Sequence, residues 1–146
     1  MIRPATTDDL PRLMELANLM HAESRFQAIA LVPAKLEATL RLCMDHGCAL
    51  VAERDGVIVG GFIGVAVEYF FSRERMASDL ALFVEPNKRG GFIAAGLIRA
   101  FKAWAARQGV KHIEIGVSTG VHPEQTGALF EKLGLKRQGA LYTGEL

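Results

Sequence analysis

The stretch Val84-Glu85-Pro86-Asn87-Lys88-Arg89-Gly90-Gly91-Phe92-Ile93-Ala94-Ala95-Gly96 joins the end of an apolar, alternating run to the start of a helical one. A strand that turns through glycines into a helix gathers unpaired backbone N–H groups at the helix N-terminus. The positive end of the helix dipole then favours an anion there. Bulky Phe92 stands inside this turn. Neither GxxxxGK[ST] nor GxGxxG occurs anywhere in the chain, which excludes the standard nucleotide-binding loops.

Downstream of the turn the period changes to that of a helix. Between Gly91 and Gln108 the residues Ile93, Leu97, Ile98, Phe101, Trp104 and Ala105 share one face, and Gly109 sits where a C′ glycine belongs. Lys111 to Ser118 alternates as a strand. Because a helix joins it to the strand before the turn, the two are expected to be parallel neighbours through a crossover. Pro123 to Leu133 predicts a last helix stopped by Gly134, and Leu135 to Leu146 predicts one or two closing strands.

Upstream, Cys48 to Arg54 and Val57 to Phe70 flank Asp55-Gly56, the strongest hairpin signal in the chain. Met76 to Val84 adds a third strand after the polar link Arg73-Glu74-Arg75. Ile2-Arg3-Pro4 predicts a short first strand, and Thr6-Thr7-Asp8-Asp9 offers N-caps to a helix with Leu13, Leu16, Ala17 and Met20 on its apolar face. Pro33 starts a second helix that carries Leu36, Leu40 and Cys43 and stops at Gly47. Ser24 to Leu31 shows no readable period. The predicted order is β-α-α-β-β-β-α-β-α-β, an α/β chain whose mixed, mostly antiparallel sheet is flanked by helices.

The chain has 146 residues, half of them hydrophobic, enough for one core and one domain over residues 1–146. Seventeen basic and sixteen acidic residues leave a formal charge of +1, so no broad field draws nucleic acid or an anionic membrane. An anion site must be local. Cys43 and Cys48 bracket His46 without a second Cys/His cluster, so they read as buried reduced thiols and no metal is expected. Two cysteines, no secretory leader and no apolar run of about 20 residues predict a soluble cytoplasmic protein.

The turn and the element order together resemble the GNAT superfamily of N-acetyltransferases, whose central motif reads V-x-P-x-x-[RQ]-x-x-G-x-[GA]. Val84, Pro86, Arg89 and Ala94 match it, while Phe92 replaces its first glycine. The likeness runs from "IRPATTDDLPRLMELA" to "GALFEKLGLKRQGALY", with specific motifs only in the second half. It implies acetyl-CoA as co-substrate and acetyl transfer, by direct attack, to a primary amine of a small molecule or protein. By the same resemblance, the pyrophosphate rests on backbone amides of Arg89, Gly90 and Gly91 in the turn and of Phe92, Ile93, Ala94 and Ala95 in the first helical turn. Phe92 keeps its amide while its side chain points outward or along the cofactor. The pantetheine arm pairs with the strand at Leu82, Phe83 and Val84, where a backbone N–H also faces the thioester oxygen.

The family's general acid is a tyrosine in N-x-x-A-x-x-x-Y-E-K-L-G. Aligning Glu131 to Gly134 with its end puts Phe130 at the tyrosine and Pro123 at the asparagine. Phe130 then lines the pocket near the sulfur or packs in the core. A thiol of pKa about 8.5 leaves as thiolate at pH 7 for about 2 kcal/mol, so the missing acid slows the reaction without forbidding it. Deprotonating the amine costs about 4.6 kcal/mol for a lysine-like group and about 1 kcal/mol for an α-amino group.

The candidate bases are Glu68 and Asp79 on neighbouring strands and His122 with Glu124 before the last helix. For Glu68 and His122 the competing reading is a solvated surface group, and Asp79 could serve only its turn. Lys132, Lys136 and Arg137 could meet the cofactor's 3′-phosphate or form a solvated face. Tyr142 could supply the hydroxyl that Phe130 lacks. A second reading follows from Phe130 and Pro123: an acyl-CoA-binding or interaction module that kept the fold and lost turnover. A strand near the C-terminus could also pair two copies into a homodimer.

Overall fold

The computed structural model describes the whole chain, Met1–Leu146. Its elements are β1 (Ile2–Pro4), α1 (Leu10–Glu23), α2 (Pro33–His46), β2 (Cys48–Arg54), β3 (Val57–Glu68), β4 (Arg75–Val84), α3 (Ile93–Arg107), β5 (His112–Glu114) and α4 (Pro123–Lys132). The strands form one sheet in the order β1-β2-β3-β4-β5. The first three pairings are antiparallel, and β4 and β5 run parallel, as the α3 crossover requires. The mixed α/β architecture is the one expected.

The β2–β3 hairpin closes where Asp55 (φ 51°) and Gly56 (φ 76°) both take the left-handed backbone that a two-residue turn of this twist needs. Alternation along the strands then sends side chains to two cores. On one face Leu50, Phe62, Ala77 and Val84 pack against Leu97 and Phe101 of α3, with the Phe62 and Phe101 rings stacked at 4.4 Å. On the other, Val51, Ile58 and Phe83 pack against Leu13 and Leu16 of α1 and Leu40 of α2. Gly64 permits the first contact, since a Cβ there would lie 2.7 Å from the Ser78 carbonyl and 3.0 Å from the Phe101 ring.

Three expectations are corrected. The fifth predicted strand shrinks from Lys111–Ser118 to His112–Glu114, because past Ser78 the neighbouring strand offers Gly116 a side chain in place of a ladder carbonyl. The closing strand does not form: the chain after Leu135 is exposed and carries no strand. Its apolar alternation is confined between Gly139 and Gly144, and the short β5 presents little edge to pair with. The strand invoked for pairing two copies is therefore missing. The hairpin strand β3 ends at Glu68, since Tyr69 opens the β3–β4 turn by accepting from Ser72 N–H at 3.2 Å.

The unread stretch after α1 contains a 3-10 turn, Arg25–Ala28, begun by buried Ser24, whose Oγ accepts from Phe26 N–H at 3.2 Å. Cys43 and Cys48 are buried free thiols, with burial pushing Cys48 up to about 12. No group of side chains could hold a metal ion, and no helix is long and apolar enough to cross a membrane.

Candidate active site

The site begins with an irregularity in β4. Its register against β3 passes from Gly64↔Asp79 to Ile63↔Ala81, so Leu80 is an extra, unpartnered residue. Such a bulge bends a strand and sharpens its twist. On the other edge of β4, the pairing with β5 covers only Met76 to Ser78. Beyond that point the two edges separate, and a cleft of about 500 Å³ opens between Asp79–Val84, the Lys88–Gly91 loop and the segment from Gly116 to Lys132.

Asp79 sits where the strands part. Its Oδ1 accepts the Gly116 N–H at 3.0 Å, taking the place of the next ladder bond. Burial pushes its carboxyl pKa up, opposed by that N–H and by its own backbone N–H.

The loop after β4 makes a 3-10 turn over Pro86–Lys88 and then passes through Gly90 at φ 81° before α3 starts. Left-handed backbone here favours glycine. The N–H groups of Gly90 through Ala95 find no acceptor in the loop or in α3, and the first satisfied one is Gly96, which donates to the Phe92 carbonyl at 2.8 Å. Phe92, 86% exposed, turns its ring to solvent and does not border the cleft. Ala95 is buried beneath the helix and also lies off the cleft, whereas Ile93 and Ala94 line it.

The Arg89 side chain is engaged in holding the loop. Its Nε donates to the Val84 carbonyl at 2.8 Å, its Nη2 pairs with Glu23 at the end of α1, and its guanidinium lies 5.3 Å from the Phe83 ring centre. Its own N–H donates to Pro86. The unpaired amides therefore begin one residue later than the sequence suggested.

Opposite the loop, α4 presents Phe130, which is buried and lines the cleft, so pocket and core packing are both true of it. His122, in left-handed conformation at φ 45°, caps the same helix and borders the cleft. Leu82, Phe83 and Val84 line the opposite wall. Glu68 does not join them: it is exposed at the end of β3, paired in register with Arg75, at the opposite end of β4 from Val84. Its strand runs on past the cleft, so a carboxylate there meets water. Glu124, Lys136, Arg137 and Tyr142 also lie outside, and of the basic group only Lys132 borders the cleft.

Sequence reasoning missed the connector between α1 and α2. Met20, Glu23 and Phe26 line the cleft, and Arg25 crosses to its far wall, donating from its N–H to the Thr119 carbonyl at 2.9 Å and from Nε to the Ser118 carbonyl. The buried Ser24 cap was the one local signal for this turn. Lys88 adds a cation to the cleft lining.

A sequence model of the acetyltransferase (GNAT) family matches residues 12–135. No curated protein sequence matches the chain significantly. Among solved structures the fold is similar to a predicted acetyltransferase with acetyl-CoA from Clostridium acetobutylicum, with TM-score 0.79, 14% identity and coverage of 99% of this chain and 95% of that one. An aminoglycoside acetyltransferase from an uncultured soil metagenomic sample gives TM-score 0.75 and 21% identity over 100% and 97% of the two chains. A ribosomal-protein-alanine N-acetyltransferase from Brucella melitensis biovar Abortus 2308 gives 0.74 and 20% over 100% and 99%.

Proposed function

The chain belongs to the GNAT acetyltransferase family, and from that premise we propose that it moves an acetyl group from acetyl-CoA to a primary amine of a small molecule or protein by direct attack. The observation that carries this reading is the cleft at the parting of β4 and β5, bordered at Gly90, Gly91, Ile93 and Ala94 by residues whose amides are unpaired. Unpaired N–H groups at a helix N-terminus suit a pyrophosphate, and the unpaired edge of β4 suits an amide-bearing arm. The residues present fit the cofactor, which supplies an activated acyl thioester when bound.

In this reading the amides of Gly90 to Ala94 hold the pyrophosphate, with Lys88 and Lys132 near the phosphates. The β4 edge at Leu82, Phe83 and Val84 pairs with the pantetheine arm and turns an N–H toward the thioester oxygen. Phe130 packs beside the sulfur and moves no proton, so the coenzyme A thiolate leaves unassisted at a cost of about 2 kcal/mol at pH 7. His122, a candidate base that borders the cleft, exchanges protons at its exposed mouth. Residues 1–146 act as one domain, and unpaired Cys43 and Cys48 suit a reducing compartment such as the cytoplasm.

The absence of a hydroxyl at buried Phe130 favours one competing reading, an acyl-CoA-binding module without turnover. Calorimetric titration with coenzyme A, followed by thiol release from acetyl-CoA with a panel of primary amines, separates the two. Turnover with any amine supports the transferase, binding without turnover supports the module, and no binding defeats both.

A further inference from the structure

Behind the cleft, between α1, α2 and the sheet, lies a second cavity of about 70 Å³, and Met20, Ala81 and Phe83 line both. Its remaining walls are hydrophobic side chains and Gly61. Small residues leave this space open in a core otherwise filled by Leu13, Leu16 and Leu40: Ala17 on α1, Gly61 on β3 and Ala81 on β4. A Cβ at Gly61 would lie 3.2 Å from the Leu13 side chain. No lining side chain offers water a hydrogen bond, so the chamber suits an apolar guest.

The direction of the cofactor decides which guest. With the pyrophosphate at Gly90 to Ala94 and the pantetheine arm along Val84 to Leu82, the arm runs toward the N-terminal end of β4. Its acyl group then comes after Leu82, beside Ala81 and the Leu80 bulge. Ala81 pairs with Ile63, which packs in the core beneath α1 and α2, whereas Leu82 packs on the α3 side. Acyl carbons beyond the thioester therefore meet the residue that opens onto the chamber. Met20, unbranched and pliable, borders the same opening.

We propose that this chamber receives the alkyl end of a short acyl chain, which makes acyl-CoA thioesters longer than acetyl, such as butanoyl-CoA, donors for this protein. The inference rests on the acyl-transfer reading of the cleft. The lone pair of the neutral amine attacks the thioester carbon, the C–N bond forms and the C–S bond breaks. The nitrogen gives up one proton and the departing thiolate takes one up, so the amide carries the longer chain and coenzyme A leaves as the thiol. The chamber adds apolar burial of the extra methylenes, each contributing about fourfold in affinity.

Calorimetric titration with coenzyme A, acetyl-CoA and butanoyl-CoA, with no amine present, tests this. Butanoyl-CoA is expected to bind about 10-fold more tightly than acetyl-CoA. Ala17 and Leu36 line the chamber and not the cleft, so they change its size without touching the β4 edge. Ala17→Leu, which fills it, should bring the two affinities together, and Leu36→Ala, which widens it, should move the preference toward hexanoyl-CoA. A mere packing gap gives neither shift. Equal affinities of the unaltered protein for acetyl-CoA and butanoyl-CoA, or a preference that neither variant moves, would overturn the proposal. So would variants that alter the choice among amines of different chain length and leave the donor preference as it was, since the chamber would then belong to the acceptor. Failure to bind coenzyme A at all defeats the acyl-CoA reading itself, whereas coenzyme A binding with no preference among donors defeats only the chamber.

Discussion

Arg89 Nε donates to the Val84 carbonyl at 2.8 Å, closing the loop back onto the strand it leaves. The same guanidinium reaches Glu23 at the end of α1, so one planar side chain sets the loop's position relative to both strand and helix. An ammonium cannot make this fork. Arg89→Lys is expected to weaken coenzyme A binding by about 10-fold, nearly as much as Arg89→Ala, because the amides lose their common aim. Calorimetry on the two variants checks this, and a lysine variant that binds as the wild type does would show the fork to be dispensable.

Gly90 and Gly91 should respond differently to a methyl group. Neither would clash, since an added Cβ meets nothing within 4 Å at either position, but only Gly90 has a positive φ, 81°. Gly90→Ala is expected to cost about 1 kcal/mol, seen as a lower Tm and weaker coenzyme A binding. Gly91→Ala should leave both near the wild-type values. Gly91→Pro removes an amide and should cost cofactor affinity, and unchanged affinity would overturn the proposal that the pyrophosphate sits at this loop.

Two of the candidate bases, His122 and Glu68, make opposite predictions. His122 borders the cleft, so His122→Ala should lower kcat with little change in coenzyme A affinity. Glu68 lies exposed at the far strand end, so Glu68→Gln should leave activity within about twofold. Steady-state kinetics with the best amine of the panel compares them.

Asp9 links stability to acid pH. Arg3 holds it by two hydrogen bonds, 2.7 Å to Oδ2 and 2.9 Å to Oδ1, and keeps its pKa at about 2, below the ordinary 3.8. A depressed carboxyl pKa stabilises the fold above the unfolded value, and that contribution disappears as pH falls from about 4 through about 2. After discounting for solvent at the partly exposed Arg3, it amounts to about 1 kcal/mol. Asp9→Asn should lower the urea midpoint at pH 7 and leave it almost unchanged at pH 2.

Asp79 has the opposite sign. Burial raises its pKa, so the ionised form opposes folding and the penalty grows as pH rises through the folded value. Asp79→Asn should therefore raise Tm at pH 7, and the gain in Tm should fade in acid, where Asp79 is itself neutral. Thermal melts over a pH series test this.

Local chemistry carried much of the architecture. Asp55-Gly56 needs only its own backbone preference to make the hairpin, Pro33 and Gly47 bound α2, and the spacing of Leu97, Ile98 and Phe101 declares the buried face of α3. Phe92 was legible too, because a side chain at a helix start is free to leave while its amide stays. The final strand was misread for want of a partner: "ALYTGEL" alternates, but a strand exists only where an edge receives it, and β5 offers three residues.

By itself, the sequence determined the order of the elements as far as α4, the turn that bares the amides and the Arg89 that such a turn carries, because each depends on residues close along the chain. Tertiary structure alone decided which carboxylate meets the cleft. Glu68 and Asp79 sit on adjacent strands and look alike as isolated acids, yet a bulge at Leu80 and the early parting of β5 bury one beside Gly116 and leave the other in water. That choice depends on registers between strands, and a register is a property of two strands at once.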